Sequence, residues 1–256
     1  MRDVILYEFP LNERIRLFVR LEQLFHQLEH FLRGGTVWDG RAAVGLLTEL
    51  VSVSGRNDLR SEAMQEIDRQ TATLNRMTRL QNGVDHGMLN QAIELLEQLN
   101  RDLFATPGKL GLSVMEDEFF KSILQRSGMP GGAASFDLPS YHRWLEADPI
   151  ARQQKLADWV EPFLPVKTAI DVLLNFIRTS AVPLKEDSIA GFYQKTLDHS
   201  MPYQLLRVGV PVEQSCYAEI SGGKHRFTIR FLERDITQRP VQSAEDISFY
   251  LTCCLF

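Results

Sequence analysis

Near Pro183 the chain changes period. Up to that point apolar residues return every three or four positions, as they do on helices packed along one face. Beyond it they come in short β-branched and aromatic runs separated by turn formers. Helices and strands segregated in this way specify an α+β fold rather than an alternating α/β one. The expected organisation is a mainly helical domain over residues 1–181, followed by a small antiparallel β domain over 182–256.

Within the first part, Ile15, Phe18, Leu21, Phe25, Leu28 and Phe31 make one long amphipathic stripe that stops at Gly34-Gly35. Asn12 stands where a helix cap is needed. Further helices are predicted over 41–53, 58–80, 87–104, 116–125, 151–163 and 166–180, with Gly, Asn or Pro in the gaps. In the second part, 191–193, 203–210, 216–220, 224–233 and 247–255 read as strands of one small antiparallel sheet. Ser221-Gly222-Gly223 supplies a hairpin turn, because glycine accepts positive φ. Residues 1–10 are extended, and Val4-Ile5-Leu6-Tyr7 suits a strand joined to that sheet.

Composition narrows the function classes. A net charge of -5 is poorly suited to generic polyanion binding, which draws its affinity from phosphates neutralised by Lys and Arg. Neither a membrane-spanning apolar run nor a signal-like segment after Met1-Arg2-Asp3 is evident, so a cytoplasmic protein is expected. Cys216, Cys253 and Cys254 lack disulfide or metal-ligand spacing and are expected to be reduced and packed, Cys253 and Cys254 on opposite strand faces. His26-x-x-x-His30 has the spacing of a helical ligand pair, but Gln27 stands where the zinc-protease pattern needs Glu. Ser135, Asp137 and His142 invite a hydrolase reading, yet no Gly-x-Ser-x-Gly elbow accompanies them. No Walker A or dinucleotide fingerprint occurs. The expectation is a protein that is not an enzyme and needs neither cofactor nor metal.

The most informative run is Lys224-His225-Arg226-Phe227-Thr228-Ile229-Arg230-Phe231. A period of two puts Phe227, Ile229 and Phe231 on one face and Lys224, Arg226, Thr228 and Arg230 on the other. Arg226 and Arg230 then stand about 13 Å apart along the strand, a spacing that suits two acidic groups of one extended peptide. Arg207 on a neighbouring run would widen the patch. Arg16 and Arg20, four residues apart, share a helical face. An ordinary solvated face gives the same patterns. A nucleic-acid-binding module would also set arginines on a sheet, but such sheets usually expose aromatics, and Phe227 and Phe231 point inward here.

Several stretches resemble one family. Tyr7-Glu8-Phe9-Pro10-Leu11-Asn12-Glu13-Arg14-Ile15-Arg16 opens the chain. Pro130-Gly131-Gly132, Ser135-Phe136-Asp137-Leu138-Pro139 and His142-x-Trp144-Leu145 follow in the middle. Then come Gly191-Phe192-Tyr193-Gln194, Ile220-Ser221-Gly222 and Arg226-Phe227-x-Ile229-Arg230-Phe231. Together they look like ZapD, a bacterial cell-division family. The resemblance implies a helical domain plus a β domain, a homodimer, binding to the acidic C-terminal tail of FtsZ, and bundling of FtsZ filaments at mid-cell. It implies tail-binding roles for Arg16, Arg20, Arg226 and Arg230, with His142 as a lesser candidate; Lys224 and Arg207 join the expected partner-binding set from the strand pattern alone. Family members can carry a further arginine ahead of the Pro-Gly-Gly loop. This chain has Met115-Glu116-Asp117-Glu118 there, which leaves Lys121 or Arg126 to assume its part.

Overall fold

The computed structural model describes residues 4–80, 86–106, 108–129, 133–223, 225–233 and 239–256. The chain divides into two compact units, one of Arg20–Val172 and one of Met1–Val19 together with Leu173–Phe256. The fold is α+β, and the N-terminal segment does add a strand to a sheet.

The helical unit takes in most of α1 (Glu13–Leu32), whose start is capped by Asn12 Oδ1 accepting from the Ile15 amide at 2.9 Å. Its remaining helices are α2 (Val37–Arg56), α3 (Leu59–Leu80), α4 (His86–Ala105), α5 (Leu112–Glu116), α6 (Glu118–Ser127), α7 (Pro139–Leu145) and α8 (Pro149–Val160). A three-residue 3-10 turn, Glu161–Phe163, leads into α9 (Leu164–Thr179), which begins in this unit and ends in the other. Helix α2 starts four residues before the expected position because Thr36 and Asp39 form a reciprocal capping box. Helix α8 likewise starts at Pro149 under an Asp148 cap. The short α7 was not expected. It opens on Pro139 and turns Tyr141 and Leu145 into the core.

Two polar devices hold this unit. Arg152 is 3% exposed and donates to the carbonyls of Leu145, Ala147 and Gly35, joining the end of α7 to the segment before α2. Asp117 caps α6 through the Phe120 amide (2.9 Å) and also accepts from Lys155 Nζ (2.6 Å) and Trp159 Nε1 (3.2 Å). Burial alone would push the Asp117 carboxyl up. The bonds from Lys155, the Phe120 amide and Trp159 outweigh it and leave the group below the usual carboxylate range.

The β unit holds two sheets where one was expected. Strands β1 (Val4–Pro10), β4 (Leu205–Pro211), β8 (Ser248–Cys254) and β2 (Leu184–Asp187) form the first, in that spatial order. Strands β3 (Phe192–Thr196), β6 (Arg226–Glu233) and β5 (Cys216–Gly222) form the second, with β7 (Val241–Gln242) also paired to β6. All pairings are antiparallel. Leu206, Val208 and Phe249 of the first sheet share one core with Phe227, Ile229 and Phe231 of the second, which makes a sandwich. The order of strands explains the difference: β8 pairs with β4, as in Leu205 with Cys254 and Gly209 with Tyr250, a partnership that no local pattern announces. Cys216, Cys253 and Cys254 are free thiols, and burial pushes Cys254 up to about 12. No described helix is long and apolar enough to cross a membrane.

Candidate arginine surface

Strand β6 carries the site. Its burial alternates as the period of two requires: Phe227, Ile229 and Phe231 are sealed in the sandwich core, while Arg226 and Arg230 are exposed. In an antiparallel pair, directly opposed residues send their side chains to the same face. The outer face can therefore be read across the register. Thr196 stands opposite Arg226. Gln194 and Ser221 flank Thr228, and Phe192 and Glu219 flank Arg230. Leu232 follows, opposite Tyr217 on β5 and Gln242 on β7. Among the described residues, neither Arg226 nor Arg230 takes part in an ion pair, although Glu219 is opposite Arg230 in register.

The face is thus not merely a wet one. Phe192 is 38% exposed, and Tyr217 and Leu232 are half-buried beside the arginines. The sequence pattern gave no outward position to Phe192, because an isolated Gly-Phe-Tyr run does not say which aromatic turns in. Tyr193 does so, meeting Phe249 edge-on with ring centroids 5.1 Å apart.

Arg16 belongs to the same unit, on the first turns of α1. Its guanidinium donates to the Pro10 carbonyl at 3.3 Å, lies 3.1 Å from Glu13 and sits 5.9 Å from the Phe9 ring centroid. It is half-buried and partly engaged. The helix start that leads to Arg16 and the strand start that leads to Arg226 meet at one hollow of ≈ 310 Å³, lined by Leu11, Asn12, Met201, Tyr203, His199 and His225 among others. His199 and His225 stack there, with ring centroids 4.1 Å apart, and both are exposed. No spacing rule brings together histidines 26 residues apart, so the pair was invisible in the sequence.

The other expected residues are placed elsewhere. Arg207, expected to widen the patch, lies on β4 of the first sheet, opposite Glu8. Its Nε donates to Glu8 Oε1 at 3.0 Å. Arg178 of α9 grips the same carboxylate with two bonds of 2.8 and 2.7 Å. Arg20 is exposed and begins the helical unit, with no ion pair among the described residues. His142 is half-buried on α7. Lys224 and the Pro130-Gly131-Gly132 loop lie outside the described residues. Of the two residues expected to assume the part of a further family arginine, Lys121 pairs with Glu118 at 3.1 Å and Arg126 lies 4.0 Å from Asp137. Asp117, in the stretch 115–118, is occupied in capping α6.

Histidine 30 packs edge-on against Phe31, while His26 comes together with Glu22 and Asp171, whose ligand atoms lie within 4.8 Å of one another. The Lys167 ammonium, 2.8 Å from Asp171, already supplies a cation there.

Residues 19–230 match the family model for ZapD, described as a cell division protein. The cell division protein ZapD of Methylococcus capsulatus is 48% identical over 255 residues, spanning all of both chains. That of Aromatoleum aromaticum is 36% identical over 253 residues, 99% of this chain and 98% of its own. That of Nitrosomonas europaea is 35% identical over 251 residues, 98% and 95% respectively. The likeness therefore runs through both units.

Proposed function

The chain belongs to the ZapD family of cell-division proteins, and we propose that it acts in division by binding the acidic C-terminal tail of FtsZ. Arg226 and Arg230 are the main contacts, joined by Arg16 and Lys224; Arg20 and, to a lesser degree, His142 are separate contacts offered by the other unit. The supporting observation is the pair of guanidinium groups that share one exposed face of β6 without an ionic partner among the described residues.

A guanidinium offers a planar fork of donors that fits a carboxylate with two parallel bonds, a geometry that lysine cannot copy. An unstructured tail loses conformational freedom when it docks, which offsets part of that gain and keeps each contact modest. A homodimer would carry two such sites. Two tails from neighbouring filaments held by one dimer raise each other's effective concentration, so filaments bundle without any chemical step. The place of action is then the cytoplasm at the division site.

The test is charge reversal. Arg226→Glu with Arg230→Glu should abolish co-sedimentation of bundled FtsZ, while circular dichroism and the mass in solution stay as in the parent protein. Undiminished bundling at both low and moderate salt would rule the arginine surface out.

A further inference from the structure

The turn between β2 and β3 has a shape that neither the sandwich nor the arginines explain. Ile189 and Phe192 exchange backbone hydrogen bonds of 3.0 and 2.9 Å around Ala190 and Gly191, whose φ values are 47° and 67°. Two positive φ values in a two-residue loop make a tight primed hairpin turn. It is clamped on several sides. The Ala190 amide donates to Asp246 Oδ1 and Gln242 Nε2 donates to the Ala190 carbonyl, both at 2.8 Å. The Gly191 amide donates to the Glu245 carbonyl at 2.8 Å, and a Cβ on Gly191 would come within 2.5 Å of the Ser243 oxygen. A backbone fixed this firmly nevertheless presents Ile189 at 78% exposure. Turn geometry does not call for isoleucine, which favours strands over turns.

Register places that side chain. Ile189 and Phe192 are bridge partners and share a face, and Phe192 stands opposite Arg230. One row of the outer face therefore reads Ile189, Phe192, Arg230, Glu219. Two exposed apolar side chains adjoin a guanidinium that has no ion pair among the described residues, and a carboxylate lies at the far end.

We propose that Ile189 and Phe192 form the apolar half of a docking surface whose charged half is Arg230 and Arg226. The occupant is an extended acidic peptide that carries one large apolar side chain next to its carboxylates. This rests on the reading above, in which the arginines hold carboxylates. It adds that acidity alone is not sufficient for full affinity. The apolar side chain settles on Ile189 and Phe192, and a neighbouring carboxylate reaches Arg230. Glu219 repels acidic groups at the other end of the row and so gives the peptide its direction. Because the turn is already rigid, little ordering on the protein's side offsets the gain.

Two labelled peptides test this by fluorescence anisotropy: one of Asp, Glu, Gly and Ser with a single central Leu, and its twin with Ser in place of Leu. The full chain should bind the Leu peptide about tenfold more tightly, as burial of one leucine implies. Ile189→Ser, and Ile189→Thr, which keeps the branched Cβ should the first variant melt early, should bring the two peptides within about twofold and leave the affinity for the Ser twin unchanged. Equal affinity of the parent protein for both peptides would overturn the apolar anchor while leaving the arginines intact. Binding of neither peptide would overturn the arginine surface and the anchor together. Tight binding of a single-stranded oligonucleotide, lost in Phe192→Ala, would overturn the anchor in favour of base stacking.

Discussion

The two outer faces of the sandwich use arginine in opposite ways. On the first sheet, Arg207, together with Arg178 from α9, closes on Glu8, all three side chains about four-fifths buried. On the second sheet, Arg226 and Arg230 stand exposed, and the carboxylate opposite Arg230 does not pair with it among the described residues. Both faces belong to one unit and both present arginine on a strand. The difference lies in whether a carboxylate from another element reaches the guanidinium. An arginine so engaged fixes the fold. One left open is available to a partner.

The strongest way to break this contrast is to remove the carboxylate from the closed face. Glu8→Gln leaves two mostly buried guanidinium groups facing each other, and should cost about 2–3 kcal/mol after allowance for their residual exposure. Urea unfolding measures it. Peptide binding by the folded fraction should not change, because the open face is on the other sheet. A loss below about 0.5 kcal/mol, the range of an ordinary surface change, would mean that the Glu8 cluster holds the fold no more than an exposed face does.

The helical unit offers a second closed cation, which sharpens the contrast at a smaller scale. Lys155 is held by Asp117, and that carboxyl titrates below its unfolded value because hydrogen bonds from Lys155, the Phe120 amide and Trp159 outweigh the upward push of burial. A carboxylate depressed on folding contributes stability that is complete above its unfolded pKa of about 3.9 and is lost as pH falls through the lower folded value. Asp117→Asn keeps an oxygen that can cap the Phe120 amide but loses the charge that holds Lys155, and should therefore destabilise the chain by about 0.5–1 kcal/mol at pH 7. It should also soften the loss of stability as pH falls below about 4. Identical acid limbs in the parent and the variant would show that Asp117 is not held as described.

These contrasts were only partly legible in the sequence. The alternation around Phe227, Ile229 and Phe231 is local, so it announced both the inward face of β6 and the outward arginines. Asn12 and the stripe from Ile15 to Leu28 announced α1 for the same reason. Arg207 shows where such reading stops. Its partner Glu8 lies 199 positions away, brought beside it only by the pairing of β1 with β4, so an engaged arginine and an open one look alike in a local window. The strand β2, Leu-Lys-Glu-Asp, is also silent: three of its four residues are poor strand formers, and only β8 gives it a place. Ile189 is silent because Ala190 adopts a positive φ that alanine seldom accepts, so nothing local marks the turn.

The smallest expected effect bears most directly on the open face. An exposed guanidinium without a partner contributes little to folding, since even exposed ion pairs add at most about 1 kcal/mol. Arg226→Gln and Arg230→Gln, singly and together, should change the unfolding free energy by no more than about 0.5 kcal/mol. The same variants should weaken binding of the acidic peptides and flatten its salt dependence, because they remove charges that the peptide's carboxylates meet. Stability and binding are thus expected to separate at Arg230, whereas at Glu8 the loss falls on stability alone. If Arg230→Gln instead destabilised the chain as much as Glu8→Gln, Arg230 would be holding the sheet, and the two faces would not differ in kind.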